Sequence, residues 1–241
     1  KQMQKMIVMS ATYRQSSDAT PELIARDPEN RLLARGPRFR LPAEVIRDQA
    51  LEIAGLLKES VGGPSVFPYQ PADLYKGIVV AADYPGTKYI ESTGDGLYRR
   101  RLYTFWKRTV PHPTLNVLDA PDREVCIVRR SITNTPLQAL TLLNDPIFVE
   151  AARKLAERTV KEGGTAPETR LTFAFRLATG HSPNDRELHI LRNSLDKMLA
   201  AYQRDPAGAR GLIGVGASKS DASIPPAELA AWTAVANIIL N

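Results

Sequence analysis

Residues 135–164 read "TPLQALTLLNDPIFVEAARKLAERTVKEGG", and they set the fold class. Thr135, Pro136 and Gln138 stand where an N-cap, a first helical residue and an N3 residue belong, the arrangement of a capping box. Proline has no N–H to leave unpaired and its φ is already helical, so it opens a helix readily. Asp145-Pro146 repeats the start signal. Behind it, "IFVEAARKLAERTVKE" continues at helical spacing to Gly163. Two helix starts with no linker between them predict a helical protein.

The helical signal continues toward the C-terminus. "PETRLTFAFRLATG" and "SPNDRELHILRNSLDKMLAAYQRD" each follow a cap-like start, and "PPAELAAWTAVANIILN" closes as an apolar helix. "AGARGLIGVGASKSDASI" reads as a small-residue linker. Toward the N-terminus, residues 1–9 read as a helix end with Met3, Met6 and Ile7 on one side. Asp27-Pro28 marks a helix start. "LPAEVIRDQALEIAGLLKES" is an amphipathic helix, with Val45, Ile46, Ala50, Ile53, Ala54 and Leu57 inward and Glu44, Arg47, Asp48 and Glu52 outward. Gly62-Gly63-Pro64 ends it. Residues 62–134 are loop-rich, with one short strand expected at "GIVVAADY", residues 77–84. The reading is mainly α: a single helical domain over 1–241, about eight helices with long proline- and glycine-rich loops, and little or no sheet. The abrupt ends, Lys1 and Asn241, suggest a fragment of a larger protein, and no signal peptide is visible.

Hydrophobic residues make up 43% of the 241 and charged residues 24%, ordinary for a globular chain. No apolar run approaches the roughly 20 residues of a membrane span. The lone Cys126 excludes an intrachain disulfide, a multi-cysteine metal site and a haem c attachment pattern. His112, His181 and His189 show no metal-ligand spacing, so neither metal nor cofactor is assigned to this chain. Cys126 sits between Val125 and Ile127 and is expected to be buried and inert. Net charge is +6, and the segment from Arg99 to Arg130 holds eight basic residues against three acidic ones. Such an excess points to an anionic partner, or to a solvated face with internal ion pairs.

Each motif there has two readings. Thr135 and Gln138 satisfy backbone donors as caps; alternatively, the same helix N-terminus, with Arg129, Arg130 and Asn134, forms an anion pocket. "DAPDREVC" sets Asp119, Asp122, Arg123 and Glu124 close to those arginines, which predicts a salt-bridge network. The sharper alternative is acid–base chemistry by Asp119, Glu124 and His112. "RRRLYTFWKR" interleaves Lys107 and Arg108 with Tyr103, Phe105 and Trp106. It reads as core aromatics with solvated charge, then as an anionic-glycan surface, and last as a nucleic-acid surface.

"SATYRQSS", "DPENRLLARGPRFRLPAEVIRD", "GGPSV", the block from Tyr103 to Arg158 and "WTAVANIILN" resemble the C-terminal domain of unknown function of planctomycete cytochrome-c-associated proteins. The 103–158 block is the most specific part, and residues 70–98 and 208–224 depart from the pattern. The resemblance implies a large secreted, periplasmic or cell-surface protein, with haem c carried by a neighbouring domain. The resemblance gives context and no mechanism; within that context the leading expectation is a non-catalytic structural or interaction module that docks other domains of its polypeptide, a c-type cytochrome or an anionic polysaccharide, and the context disfavours nucleic acid. The competing expectation is a polysaccharide-acting enzyme with its site at 112–134.

Overall fold

The computed structural model describes residues 1–71, 74–75 and 89–241. The strand expected over 77–84 lies outside them. The described residues are mainly α, with ten α-helices and only isolated β-bridges, at Lys58–Arg99, Val66–Thr104 and Lys107–Val110. They fall into two compact units, 1–41 and 42–241.

In the first unit, helix α1 (Gln2–Val8) buries none of its residues, and Met3, Met6 and Ile7 are exposed. Helix α2 (Pro21–Arg26) starts where Thr20 Oγ1 accepts from Leu23 N at 3.3 Å. The helix expected to start at Asp27-Pro28 is absent. The Asp27 carboxylate instead accepts from Arg31 N and Leu32 N, at 2.9 and 2.7 Å, and closes a turn. Those two amide bonds hold its pKa below the usual carboxylate range.

The second unit begins with α3 (Ala43–Ile53). Its last turn gives way at Gly55, whose φ of +72° is glycine territory, well before Gly62-Gly63-Pro64. Two 3-10 turns follow, Gly94–Tyr98 and Arg101–Tyr103, then the short α4 (Pro113–Val117). Helix α5 (Pro136–Asn144) carries the expected capping box: Gln138 N donates to Thr135 Oγ1 at 3.4 Å and Thr135 N to Gln138 Oε1 at 3.2 Å. Helix α6 (Pro146–Glu162) is capped by Asp145, whose Oδ1 accepts from Ile147 N at 3.0 Å. Helices α7 (Pro167–Thr179), α8 (Asp185–Arg204), α9 (Pro206–Ile213) and α10 (Pro226–Leu240) complete the unit. Helix α9 replaces the first part of the expected linker; Asp205 caps it through Gly208 N, and Pro206 supplies the start.

Helix α6 is the spine. Ile147, Phe148 and Ala151 pack with Leu51, Leu97, Leu115 and Leu118 in one cluster. Ala152, Leu155 and Ala156 pack with Leu171, Leu195, Leu229 and Trp232 in another. Helix α10 is apolar all round because it lies against α6, α8 and α9. Burying one such leucine is worth about 2 kcal/mol.

Candidate functional site

Two features of the 42–241 unit stand apart from plain core: an exposed segment at 122–140 and a buried polar seam.

The exposed segment contains most of the sequence candidates. Cys126 is exposed, against expectation. Val125, Ile127, Val128, Ile132, Leu137 and Leu140 are exposed around it. A run of apolar residues buries a thiol only when a periodic element turns it inward, and residues 121–134 form no helix or strand. Arg123, Glu124, Arg129, Arg130 and Asn134 are exposed in the same stretch.

The expected network between Arg129, Arg130 and the nearby carboxylates is replaced by longer-range pairing. Arg130 Nη1 meets Glu44 Oε2 at 2.8 Å, in the first turn of α3. Asp119 Oδ2 accepts from Thr133 N at 2.8 Å and from Gln138 Nε2 at 3.3 Å. The Asp122 carboxylate accepts from Glu124 N, and its carbonyl accepts from Trp106 Nε1. Arg123 lies over the Trp106 ring at 4.7 Å. The bend at Asp122 and Arg123 thus packs on Trp106. Lys107 stands over the Tyr75 ring at 4.2 Å, and Arg108 is exposed.

The buried seam was not legible in the sequence. Arg47, expected outward, is 3% exposed; its Nη1 and Nη2 donate to Arg99 O at 2.9 Å and Leu97 O at 2.6 Å. Val45, expected inward, is exposed. The face is rotated because a guanidinium that finds two carbonyls can be buried at acceptable cost. Asp48 Oδ1 accepts from Arg101 N at 2.8 Å. Burial raises the Asp48 pKa, opposed by that bond and by Arg47. Burial lowers the Arg101 pKa to about 9, with Arg47 adding to the shift. His112 is buried, and its Nε2 lies 2.9 Å from Tyr69 O. A carbonyl only accepts, so Nε2 carries the proton and the neutral ring has its lone pair on Nδ1. Burial and the neighbouring Arg101 push the His112 pKa down to about 3.

Tyr69 links this half of the seam to the next. Its hydroxyl donates to Glu150 Oε2 at 3.0 Å, and Tyr98 donates to Glu150 Oε1 at 2.8 Å. Ser218 N also donates to Glu150 Oε1, at 2.6 Å. Burial raises the pKa of both tyrosines. Arg153, 0% exposed, pairs with Glu157 at 3.1 Å and donates to Ser218 O at 2.6 Å. Asp221 N bonds Glu157, and Lys161 pairs with the Asp221 carboxylate. The loop after α9 is therefore stapled to α6 through charges spaced at i, i+3 and i+7 on one face. Gly216 fits there with φ +88° directly over the Glu150 carboxylate, where a Cβ would overlap it.

Among the described residues no helix is long and apolar enough to cross a membrane, and no group of three or more His, Cys, Asp or Glu side chains is placed to hold a metal ion. The family described as "PSD1: Protein of unknown function (DUF1553)" matches residues 1–195, so the closing "WTAVANIILN" lies beyond the match. Neither the curated proteins nor the solved structures contain a match to the chain.

Proposed function

From the premise that the chain belongs to the DUF1553 family of proteins of unknown function, we propose that it is a non-catalytic structural and interaction module. In this reading it is part of a large planctomycete envelope protein, periplasmic, cell-surface or secreted, linked to c-type cytochrome domains. Any haem c belongs to a neighbouring domain. The cytochrome and envelope context rests on the resemblance carried by the Tyr103–Arg158 block.

One observation carries the interaction role: six large apolar side chains between Val125 and Leu140 are exposed together, beside Arg123, Arg129 and Arg130. Large apolar side chains left exposed within one short segment, with basic residues in the same segment, fit a docking surface. The basic rim suits an acidic protein face or an anionic polysaccharide. The acid–base candidates support the module over the polysaccharide enzyme. His112 is spent on Tyr69, Asp119 on Thr133 and Gln138, and Glu124 lies in the exposed bend.

Cys126 lies within the exposed strip and provides the test. In the native full-length polypeptide, its maleimide labelling should be slow, because the strip is covered by a neighbouring domain. Val128→Asp in the same polypeptide should make labelling fast. Fast labelling of the native full-length protein without the substitution would overturn docking within the polypeptide.

A further inference from the structure

Arg101, on the 3-10 turn Arg101–Tyr103, and His112, the residue ahead of α4, line one small cavity together with Arg47 and Thr114. Ala43 and Ile147 belong to its apolar wall. Arg101 is 3% exposed and His112 7%. Arg101 Nε and Nη2 and His112 Nδ1 are buried and meet no partner among the described residues. We propose that this cavity is a binding site for one structural water, which accepts from the Nε/Nη2 edge of Arg101 and donates to His112 Nδ1.

The first argument is complementarity. Nε–H and one Nη2–H of a guanidinium point the same way, as a pair of donors. His112 gives its one ring proton to Tyr69 O, so Nδ1 presents a lone pair. Each of these groups is costly to bury unpaired, and they do not bond each other directly. A water oxygen has two lone pairs for the arginine edge and a proton for Nδ1. Thr114 gives its hydroxyl proton to Asp145 and turns only lone pairs to other donors, so Thr114 Oγ1 can take the second water proton. Three to four partners is the usual complement of a buried water.

The second argument is exclusion. The space admits about one water, too little for a halide, an oxyanion or an organic molecule. The Nδ1 lone pair repels an anion, and the guanidinium groups of Arg47 and Arg101 repel a cation. The occupant must be neutral, small, and both donor and acceptor, which describes water.

The third argument is that neighbouring side chains are committed elsewhere. Asp48 Oδ1 takes Arg101 N, Asp145 takes Thr114 and the Ile147 amide, and Arg47 spends both Nη atoms on Leu97 O and Arg99 O. Asp48 thus ties the Arg101 backbone to α3, and Tyr69 O holds the far side of the His112 ring. The water completes the set by joining Arg101 to His112 at one oxygen.

Two measurements on the protein test this. A crystal structure that resolves ordered water should show one peak about 2.7–3.2 Å from Arg101 Nε, Arg101 Nη2 and His112 Nδ1. Crystals soaked in bromide should show no anomalous signal there. In solution, the Ile147 methyl groups should give a cross-relaxation peak to a long-lived water. Ala43→Val fills the space from the apolar wall and should abolish that peak. Should the variant fail to fold, the density in the unaltered protein decides. A dry cavity, a direct Arg101–His112 bond, bromide at the site, or a water peak that persists in folded Ala43→Val would each overturn the proposal.

Discussion

Helix α6 and the 121–134 segment are similar in composition and opposite in fate. "VEAARKLAE" (149–157) and "DREVCIVRR" (122–130) both mix acids, bases and apolar residues. On α6, Glu150, Arg153 and Glu157 are buried together and closed by Tyr69, Tyr98, Ser218 and Asp221. In the 122–130 stretch, charges and apolar side chains alike are exposed. The difference is periodicity. A helix delivers residues 150, 153 and 157 to one face, where partners distant in sequence can meet them. A segment without a repeat offers no common face, so its charges find partners singly or remain solvated.

The comparison breaks most visibly at Arg153. Arg153→Ala would leave Glu150 and Glu157 buried without their cation, and should cost about 3–5 kcal/mol in denaturant unfolding. A loss under about 1 kcal/mol would mean that the tyrosines and amides alone hold the carboxylates and that the seam is not a charge network.

His112 gives the next effect, through pH. Its folded pKa, about 3, lies below the ordinary 6.5. The unfolded chain therefore binds the proton first. Stability from the neutral ring is complete above about 6.5 and is lost as pH falls toward 3, with a slope approaching one proton. Unfolding measured between pH 7 and pH 4 should show this slope, and His112→Gln should flatten it. A wild-type profile already flat over that range would contradict the buried neutral assignment.

What the sequence revealed divides along the same line. Caps and helix spacing are local, so the starts at Thr135 and Asp145, and the runs of α6, α7, α8 and α10, were readable. Asp27-Pro28 carried the same local signal and misled, because its carboxylate serves a turn. The seam depends on partners 50 or more residues apart: Arg47 with Leu97, Tyr98 with Glu150, Arg153 with Ser218. No periodicity encodes such pairs. The reading of Arg47 as outward followed the polarity of its tip, whereas the buried arginine is explained by the carbonyls it reaches. The stretch 99–108 is readable as basic and aromatic and 119–130 as rich in charge, but how the two meet depends on the contacts of Asp122 and Arg123 with Trp106.

Thr135 sharpens the comparison at smaller scale, since it joins the exposed segment to the helical part. Thr135→Ala removes the Oγ1 acceptor for Gln138 N and should cost about 1 kcal/mol, seen as a Tm drop of about 2–4 °C. Thr135→Ser should restore most of it. An unchanged Tm would show that the Gln138 side chain, held by Val117 O at 2.9 Å, fixes the helix start without the cap.

The smallest effect is expected at Arg130, and it is the most discriminating. Reading the sequence locally places Arg130 in a buried network, where its removal would cost on the order of 3 kcal/mol. The structure pairs it with Glu44, with the arginine side chain 45% exposed and the carboxylate 26% exposed. In that setting solvent screens the attraction and ordering two long side chains offsets part of it, so the pair is worth about 0–1 kcal/mol. Glu44 also sits in the first turn of α3, where the helix dipole stabilises it without Arg130. Arg130→Ala should therefore shift Tm by less than about 3 °C, and Glu44→Ala by a similar amount. The double variant should show a coupling energy below about 1 kcal/mol that falls further in high salt. A coupling near 3 kcal/mol that salt leaves unchanged would place Arg130 in a desolvated network, and the contrast between the exposed segment and α6 would fail at that residue.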